Sequence, residues 1–283
     1  MKGAAGSRAE VRRRIATRSE RPPAPGSVRL SVVLPAYREA RIGDTVRAVR
    51  GALEDLRGDL EIIVVDDGSG DGTADVARAA GADVVVEFPA NRGKGAAVRA
   101  GVLAASGRTI AFTDADLSYP PAQIASMLGA VEDGWDVVVG NRHHADTTTV
   151  VGPSVLRSLG GRLINAATRV VLAGGHQDTQ GGLKAFRGDL AKILFEHLRT
   201  DGFAFDVEVL FLAEQAGLSI HEVPVTVENS ERSTVHVARD AVRLLGDLLA
   251  IRRTAAAGGY DGAIASLGRV EAGDQHGTTG DQG

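Results

Sequence analysis

Residues 61–72, EIIVVDDGSGDG, carry the pattern that decides the fold: five residues of strand-like character run straight into an acid pair and three glycines. The apolar run reads as a buried strand at 61–65, the glycines as a turn, and residues 72–80 as a helix. The same unit repeats on either side. RLSVVLP at 29–35 is a strand followed by a helix over 39–57, and VVVEF at 84–88 is a strand followed by a Gly/Ala-rich helix over 94–106. TIAFTD at 109–114 supplies a fourth strand. Strands alternating with helices at this spacing specify an α/β protein, a mostly parallel sheet flanked by helices and joined by right-handed crossovers. Such sheets bind ligands at the carboxyl ends of their strands.

The second half is less regular. VVVG at 137–140 ends a strand, 154–173 has helical spacing, 183–187 is a short strand, and 188–197 and 206–216 read as helices. A last helix covers 235–253, and beyond about Gly258 a Gly, Asp, Gln and Thr composition predicts disorder. At the other end, residues 1–30 hold eight Lys/Arg against two acids, about +6, which leaves the remainder near −10. Three units are expected: a basic flexible arm at 1–27, a catalytic domain at 28–254 and a disordered tail at 255–283. The acidic body argues against nucleic acid as a partner. The arm is either a solvated leader or a contact for an anionic membrane surface.

Composition closes other routes. The 283 residues include no cysteine, so disulfides, thiolate metal sites and a cysteine nucleophile are excluded. No apolar run approaches the roughly 18 residues of a spanning helix, and no apolar stretch follows the early arginines as a secretory signal would require. The histidines show no metal-ligand spacing.

The strand ends carry the chemistry. Asp66 and Asp67 close the second strand; they are either turn and N-cap residues or acceptors for a nucleobase or ribose. At the fourth strand, Asp114 and Asp116 lie two apart, so in extended backbone they share a side and present paired carboxylates at the ligand edge. That is a hard-cation site, suited to Mg²⁺ or Mn²⁺ completed by a diphosphate. NRGKG at 91–95 sets Arg92 and Lys94 among glycines at a helix start, where backbone N–H groups and the cations can hold phosphate; a flexible turn with solvated charges is the equal alternative.

These stretches in this order, with VVLPAYREA, FTDADLSYPP, VVGNR, DTQGGLKAF and FAFDVEVLFLAEQAGLSIHEVPV, resemble the family 2 glycosyltransferases, and among them the dolichyl- or polyprenyl-phosphate hexose synthases. The resemblance spans about residues 29–253. It implies a GT-A fold, a Rossmann-like unit that binds a nucleotide sugar with a divalent metal. It implies nucleotide contacts at Pro35, Tyr37, Glu39, Val65 and Asp67, and sugar-nucleotide or metal contacts at Asp114, Ala115 and Asp116. Arg142 is implied to meet the diphosphate or the acceptor phosphate. DTQGGLK at 178–184 is similar to the glucosyl branch, so UDP-glucose is favoured over GDP-mannose. One departure stands out: where the family usually carries Ser-Lys, this chain reads Ser233-Thr234, and a neutral hydroxyl cannot replace an ammonium. Arg232 is the neighbouring cation.

The expected reaction is an inverting transfer of a hexose to polyprenyl or dolichyl phosphate, with Asp116, Arg142 and Asp178 as the catalytic set. A phosphate acceptor needs no general base, whereas a hydroxyl acceptor would need one, for which Asp178 is the candidate. Three alternatives stay open: a GDP-mannose-using mannosyltransferase, a soluble enzyme acting on a hydroxyl of a small molecule or polysaccharide, and a non-catalytic nucleotide-sugar-binding module. A cytoplasmic protein is expected, peripheral on the membrane if the basic amphipathic stretch 154–173 lies in the interface rather than on the sheet.

Overall fold

The computed structural model describes residues 16–18, 21–149, 168, 172, 178–179, 181–228 and 237–271. Nine strands are assigned among them. β1 (Val28–Ala36), β2 (Leu60–Asp66), β3 (Val84–Glu87), β4 (Gly107–Phe112) and β5 (Val137–Asn141) precede β7 (Lys184–Arg187) and β8 (Ile220–Pro224) in one sheet. Its order is β3-β2-β1-β4-β7-β5-β8, and only β7 runs antiparallel to its neighbours. β6 (Thr148–Thr149) and β9 (Thr226–Val227) pair separately.

Alternation along β1 explains the two layers of helices. Val33 faces one side with Ile63, Val65, Ile110 and Phe112, and meets α3 (Lys94–Ala104), α5 (Gly188–Glu196) and α6 (Phe205–Ala216). Leu30, Val32 and Leu34 face the other side with Ile62 and Val64, and meet α1 (Ile42–Ala52), α2 (Thr73–Ala79) and α4 (Gln123–Glu132). α3 lies close to the sheet because Gly101 has no side chain there; a Cβ would come within 3.1 Å of Val65 Cγ2 and nearer still to Val33. The chain leaves β1 toward β2 and β3 on one side and returns with β4 on the other. Diverging connections of this kind open a crevice at the carboxyl ends of β1 and β4.

Two described stretches near the ends of the chain differ from their expectations. Residues 21–27 are docked rather than loose: Arg21 pairs with buried Asp136 at 3.1 Å, Ala24 is buried, and Arg187 donates to the Pro22 carbonyl at 2.6 Å. An unpaired Asp136 would be costly beneath the sheet, and the arm's cation satisfies it. At the other end, α7 (Val237–Ala256) turns into α8 (Asp261–Glu271) inside the expected disordered tail. Tyr260, Ala263 and Leu267 are buried against the core, so a few apolar residues at helical spacing outweigh the polar composition around them. The sequence periodicity also left α4, β6, β8 and β9 unassigned. Most of 154–173, the Ser233-Thr234 pair, Arg232 and residues 272–283 lie outside the described residues.

Candidate active site

At the ends of β1 and β2 the acid pair holds the loops together. Asp66 Oδ1 accepts the Ser69 amide at 2.9 Å, and Ser69 Oγ accepts the Arg38 amide at 2.7 Å. Arg38 has φ 53°, a left-handed backbone uncommon for a residue with a side chain. It lies over the exposed Tyr37 ring, 5.2 Å from its centroid, while Glu39 accepts the Arg41 amide ahead of α1. Buried Asp67 accepts three hydrogen bonds, from Asn91 Nδ2 at 2.9 Å, the Arg92 amide at 2.7 Å and the Gly93 amide at 2.9 Å. Burial lifts its pKa above the ordinary carboxylate value, against the lowering pull of those two amides.

Beyond β4 the chain turns. Ala115 is buried and its carbonyl accepts Thr45 Oγ1 from α1 at 2.6 Å. Asp116 is exposed and accepts the Ser118 amide at 2.9 Å, with Leu117 at φ 60° between them. Among the described residues, Arg38 and Leu117 are the only non-glycine positions with positive φ, and they flank the same crevice. Asp114 reaches the other way, to Lys94 Nζ at 2.5 Å. Tyr119 Oη accepts the Gly182 amide at 3.0 Å, and burial pushes the phenol up to about 12. The backbone of Gly182 lies so close to Asp114 that a Cβ would stand 2.6 Å from its Cγ.

Further along the crevice, Arg142 follows β5 and grips fully buried Asp178. Its Nε reaches Oδ2 at 2.7 Å, its Nη2 reaches Oδ1 at 2.9 Å, and its own amide donates to Oδ2 at 3.0 Å. Burial opposes the charge on Asp178, but the guanidinium prevails and holds its pKa below the ordinary value. Deeper in, Lys184 is fully buried and donates to Asp206 Oδ1 at 2.6 Å and to the Gly181 carbonyl at 2.7 Å. Burial raises the pKa of Asp206, offset in part by Lys184 and Lys94. Three ammonium or guanidinium groups thus alternate with three carboxylates behind the exposed Asp116. Fixed charges of this kind suit an anionic ligand whose charge grows as it leaves.

The donor set fits a hard divalent cation. Asp114 and Asp116 offer carboxylate oxygens, and no group of three or more His, Cys, Asp or Glu suited to a metal occurs among the described residues. Mg²⁺ or Mn²⁺ bound by two carboxylates would take its remaining ligands from diphosphate and water.

The structure brings Pro35, Tyr37, Glu39, Asp67, Lys94, Asp114, Ala115, Asp116, Arg142 and Asp178 to this one edge of the sheet, but four readings of them need correction. Val65 is completely buried in the core beneath α3, so its side chain is closed to a nucleotide. Asp114 and Asp116 are not presented by strand alternation, because β4 ends at Phe112 and the two belong to the turn that follows, with Leu117 in a left-handed backbone. Two of the five amides of NRGKG are spent inside the protein, those of Arg92 and Gly93 on Asp67, as is the next one, that of Ala96, on the Asp201 carbonyl at 3.2 Å. Asp178 has both oxygens on Arg142 and is not a free base. Tyr119, Gly182, Lys184 and Asp206 were missed as site residues. Lys184 and Asp206 lie inside motifs already singled out, but only long-range packing brings them to the crevice.

The chain resembles known proteins over most of its length. The family model described as Glycosyl transferase family 2 matches residues 31–195. The dolichyl-phosphate beta-glucosyltransferase of Drosophila melanogaster is 35% identical over 219 residues, covering 70% of this chain and 67% of that protein. The dolichyl-phosphate beta-glucosyltransferase of Saccharomyces cerevisiae is 30% identical over 250 residues, covering 79% and 74%. Among solved structures, glucosyl-3-phosphoglycerate synthase of Mycobacterium tuberculosis in complex with Mg²⁺ and uridine diphosphate superposes with a TM-score of 0.61 at 25% identity, covering 89% of this chain and 85% of that one.

Proposed function

The chain belongs to glycosyl transferase family 2 and is a glycosyltransferase of GT-A fold, and on that premise we propose that it transfers glucose from UDP-glucose to a polyprenyl or dolichyl phosphate in a metal-dependent reaction. The observation that carries the choice of a phosphate acceptor is the state of the buried acids. Asp114, Asp178 and Asp206 are each ion-paired, to Lys94, Arg142 and Lys184. A hydroxyl acceptor would need one of them as a proton acceptor, while a phosphate acceptor is already ionised.

A phosphate oxygen of the acceptor forms the new bond to the anomeric carbon as the bond to the diphosphate oxygen breaks, and UDP leaves with that electron pair. The configuration inverts, and no proton moves. Lys94 and Arg142 supply positive charge for the diphosphate and the incoming phosphate. Asp178 holds the guanidinium plane, and Lys184 with Asp206 fills the floor beneath. A divalent ion held by Asp114 and Asp116 would neutralise the charge that develops on the leaving diphosphate. Tyr37 and Glu39, at the end of β1, are assigned to the nucleoside.

The glucosyl assignment rests on DTQGGLK and on the names of the two relatives. A lipid acceptor brings the protein to a membrane surface, and we place it peripherally on the cytoplasmic face. No described helix is long and apolar enough to cross a membrane. The test offers purified protein with Mn²⁺ labelled UDP-glucose or GDP-mannose, together with polyprenyl phosphate in vesicles, the corresponding polyprenol, or 3-phosphoglycerate. Labelled glucosyl lipid from polyprenyl phosphate alone is expected. Product only from GDP-mannose would overturn the sugar, and product only from the alcohol or the soluble acid would overturn the acceptor.

A further inference from the structure

Lys94 is paired with Asp114, one of the two carboxylates that would hold a metal. Its Nζ stands 2.5 Å from Asp114 Oδ1, and both side chains are mostly buried. The backbone on either side of it is closely packed. Gly93 and Gly95 pass so close to the 200–202 segment that Cβ atoms would meet the Asp201 carbonyl oxygen at 2.5 Å and the Thr200 carbonyl oxygen at 2.7 Å. Asp67 also ties down the Arg92 and Gly93 amides. Asp114 is equally confined, because Gly182 lies against its carboxylate. The lysine side chain is the part of the pair that can rotate away.

The groups around Lys94 keep it charged while it waits. The ammonium faces two carboxylates, that of Asp114, to which it is bonded, and that of Asp206. Asp206 is itself engaged by Lys184, so it is a poor permanent home for a second cation. An arriving diphosphate is a better one.

We infer that Lys94 is a stand-in cation: it neutralises Asp114 in the ligand-free protein and passes to the diphosphate when the nucleotide binds, so that metal and nucleotide binding are coupled. The inference rests on the metal and nucleotide reading of the site and goes beyond it by assigning the order of events to one side chain. A cation beside a carboxylate weakens its proton affinity by about 10- to 1,000-fold, and a divalent ion competes for the same lone pairs. Lys94 should therefore cost Mn²⁺ at least about tenfold in affinity before nucleotide arrives.

The experiment measures Mn²⁺ binding to the full chain from the free-ion electron paramagnetic resonance signal, with and without UDP, for the natural protein, Lys94→Met and Lys94→Arg. Circular dichroism checks that each variant is folded. Without UDP, Lys94→Met should bind Mn²⁺ at least about tenfold more tightly than the natural protein, while Lys94→Arg, which keeps the charge, should not. UDP should strengthen Mn²⁺ binding to the natural protein and lose most of that effect in Lys94→Met. If the methionine variant gains no affinity, or keeps the full UDP effect, Lys94 is not a stand-in cation while the metal reading survives. If no variant binds Mn²⁺ even with UDP, the metal reading falls and this inference with it.

Discussion

Gly182→Ala is a sharp probe of the site because it adds one methyl group to its most crowded point. The new Cβ would overlap Asp114 Oδ2 and stand 2.6 Å from Cγ and 3.0 Å from Oδ1, whereas ordinary contact begins at 3.4 Å. Asp114 cannot swing aside without giving up Lys94, and the Gly182 backbone is held by its amide bond to Tyr119 Oη. The Asp114 carboxylate must therefore retreat by more than about 1 Å. Misplacement of that size in a catalytic arrangement costs roughly 100-fold in rate. Global stability should fall by only about 1–3 kcal/mol, as for a modest overpacking. The assay pairs kcat/KM for glucosyl transfer with Mn²⁺ affinity in the presence of UDP and with a urea melt. A folded variant with a transfer rate within threefold of natural and unchanged Mn²⁺ affinity would refute the claim that Asp114 is confined by Gly182.

Two further outcomes follow from the packing. Asp178 has a folded pKa below its unfolded value of 3.8, so its pairing contributes full stability above that value and loses it as pH falls through the folded pKa. Asp178→Asn should therefore cost about 2 kcal/mol at pH 7, discounted because Arg142 is partly exposed. In urea melts run as a function of pH, the gap between the two proteins should close at strongly acid pH, and a constant gap would show that the ion pair is not its source. Leu267→Ala, in α8, should cost about 3 kcal/mol because the side chain is fully buried. A loss under 1 kcal/mol in the same melts would mean that the C-terminal helix is not docked on the core.

Legibility from sequence followed the range of the interactions. Apolar runs ending in glycine and acid placed β1 to β4 and the helices between them within a few residues, because periodicity is a local property. The helix expected over 39–57 begins only at Ile42, since Tyr37 and Arg38 are taken into a turn with a left-handed residue. Composition misjudged the tail for a related reason. Tyr260 donates to the buried Glu208 carboxylate at 2.6 Å, and Glu208 also accepts the Arg199 and Thr200 amides, a partnership that no local window contains.

By itself the sequence determined the α/β class, the family and the acids and cations that reach the crevice, since strand ends must lie where ligands bind in a sheet of this order. Only the tertiary structure decided what those groups are free to do. Asp67 is consumed in holding a loop, Val65 is closed inside the core, and Asp178 is committed to Arg142. Lys184 and Asp206, 22 residues apart, meet as a buried pair beneath the site. The physical reason is that a charge's role depends on its partners and its solvent. Both are set by contacts between residues far apart in the chain.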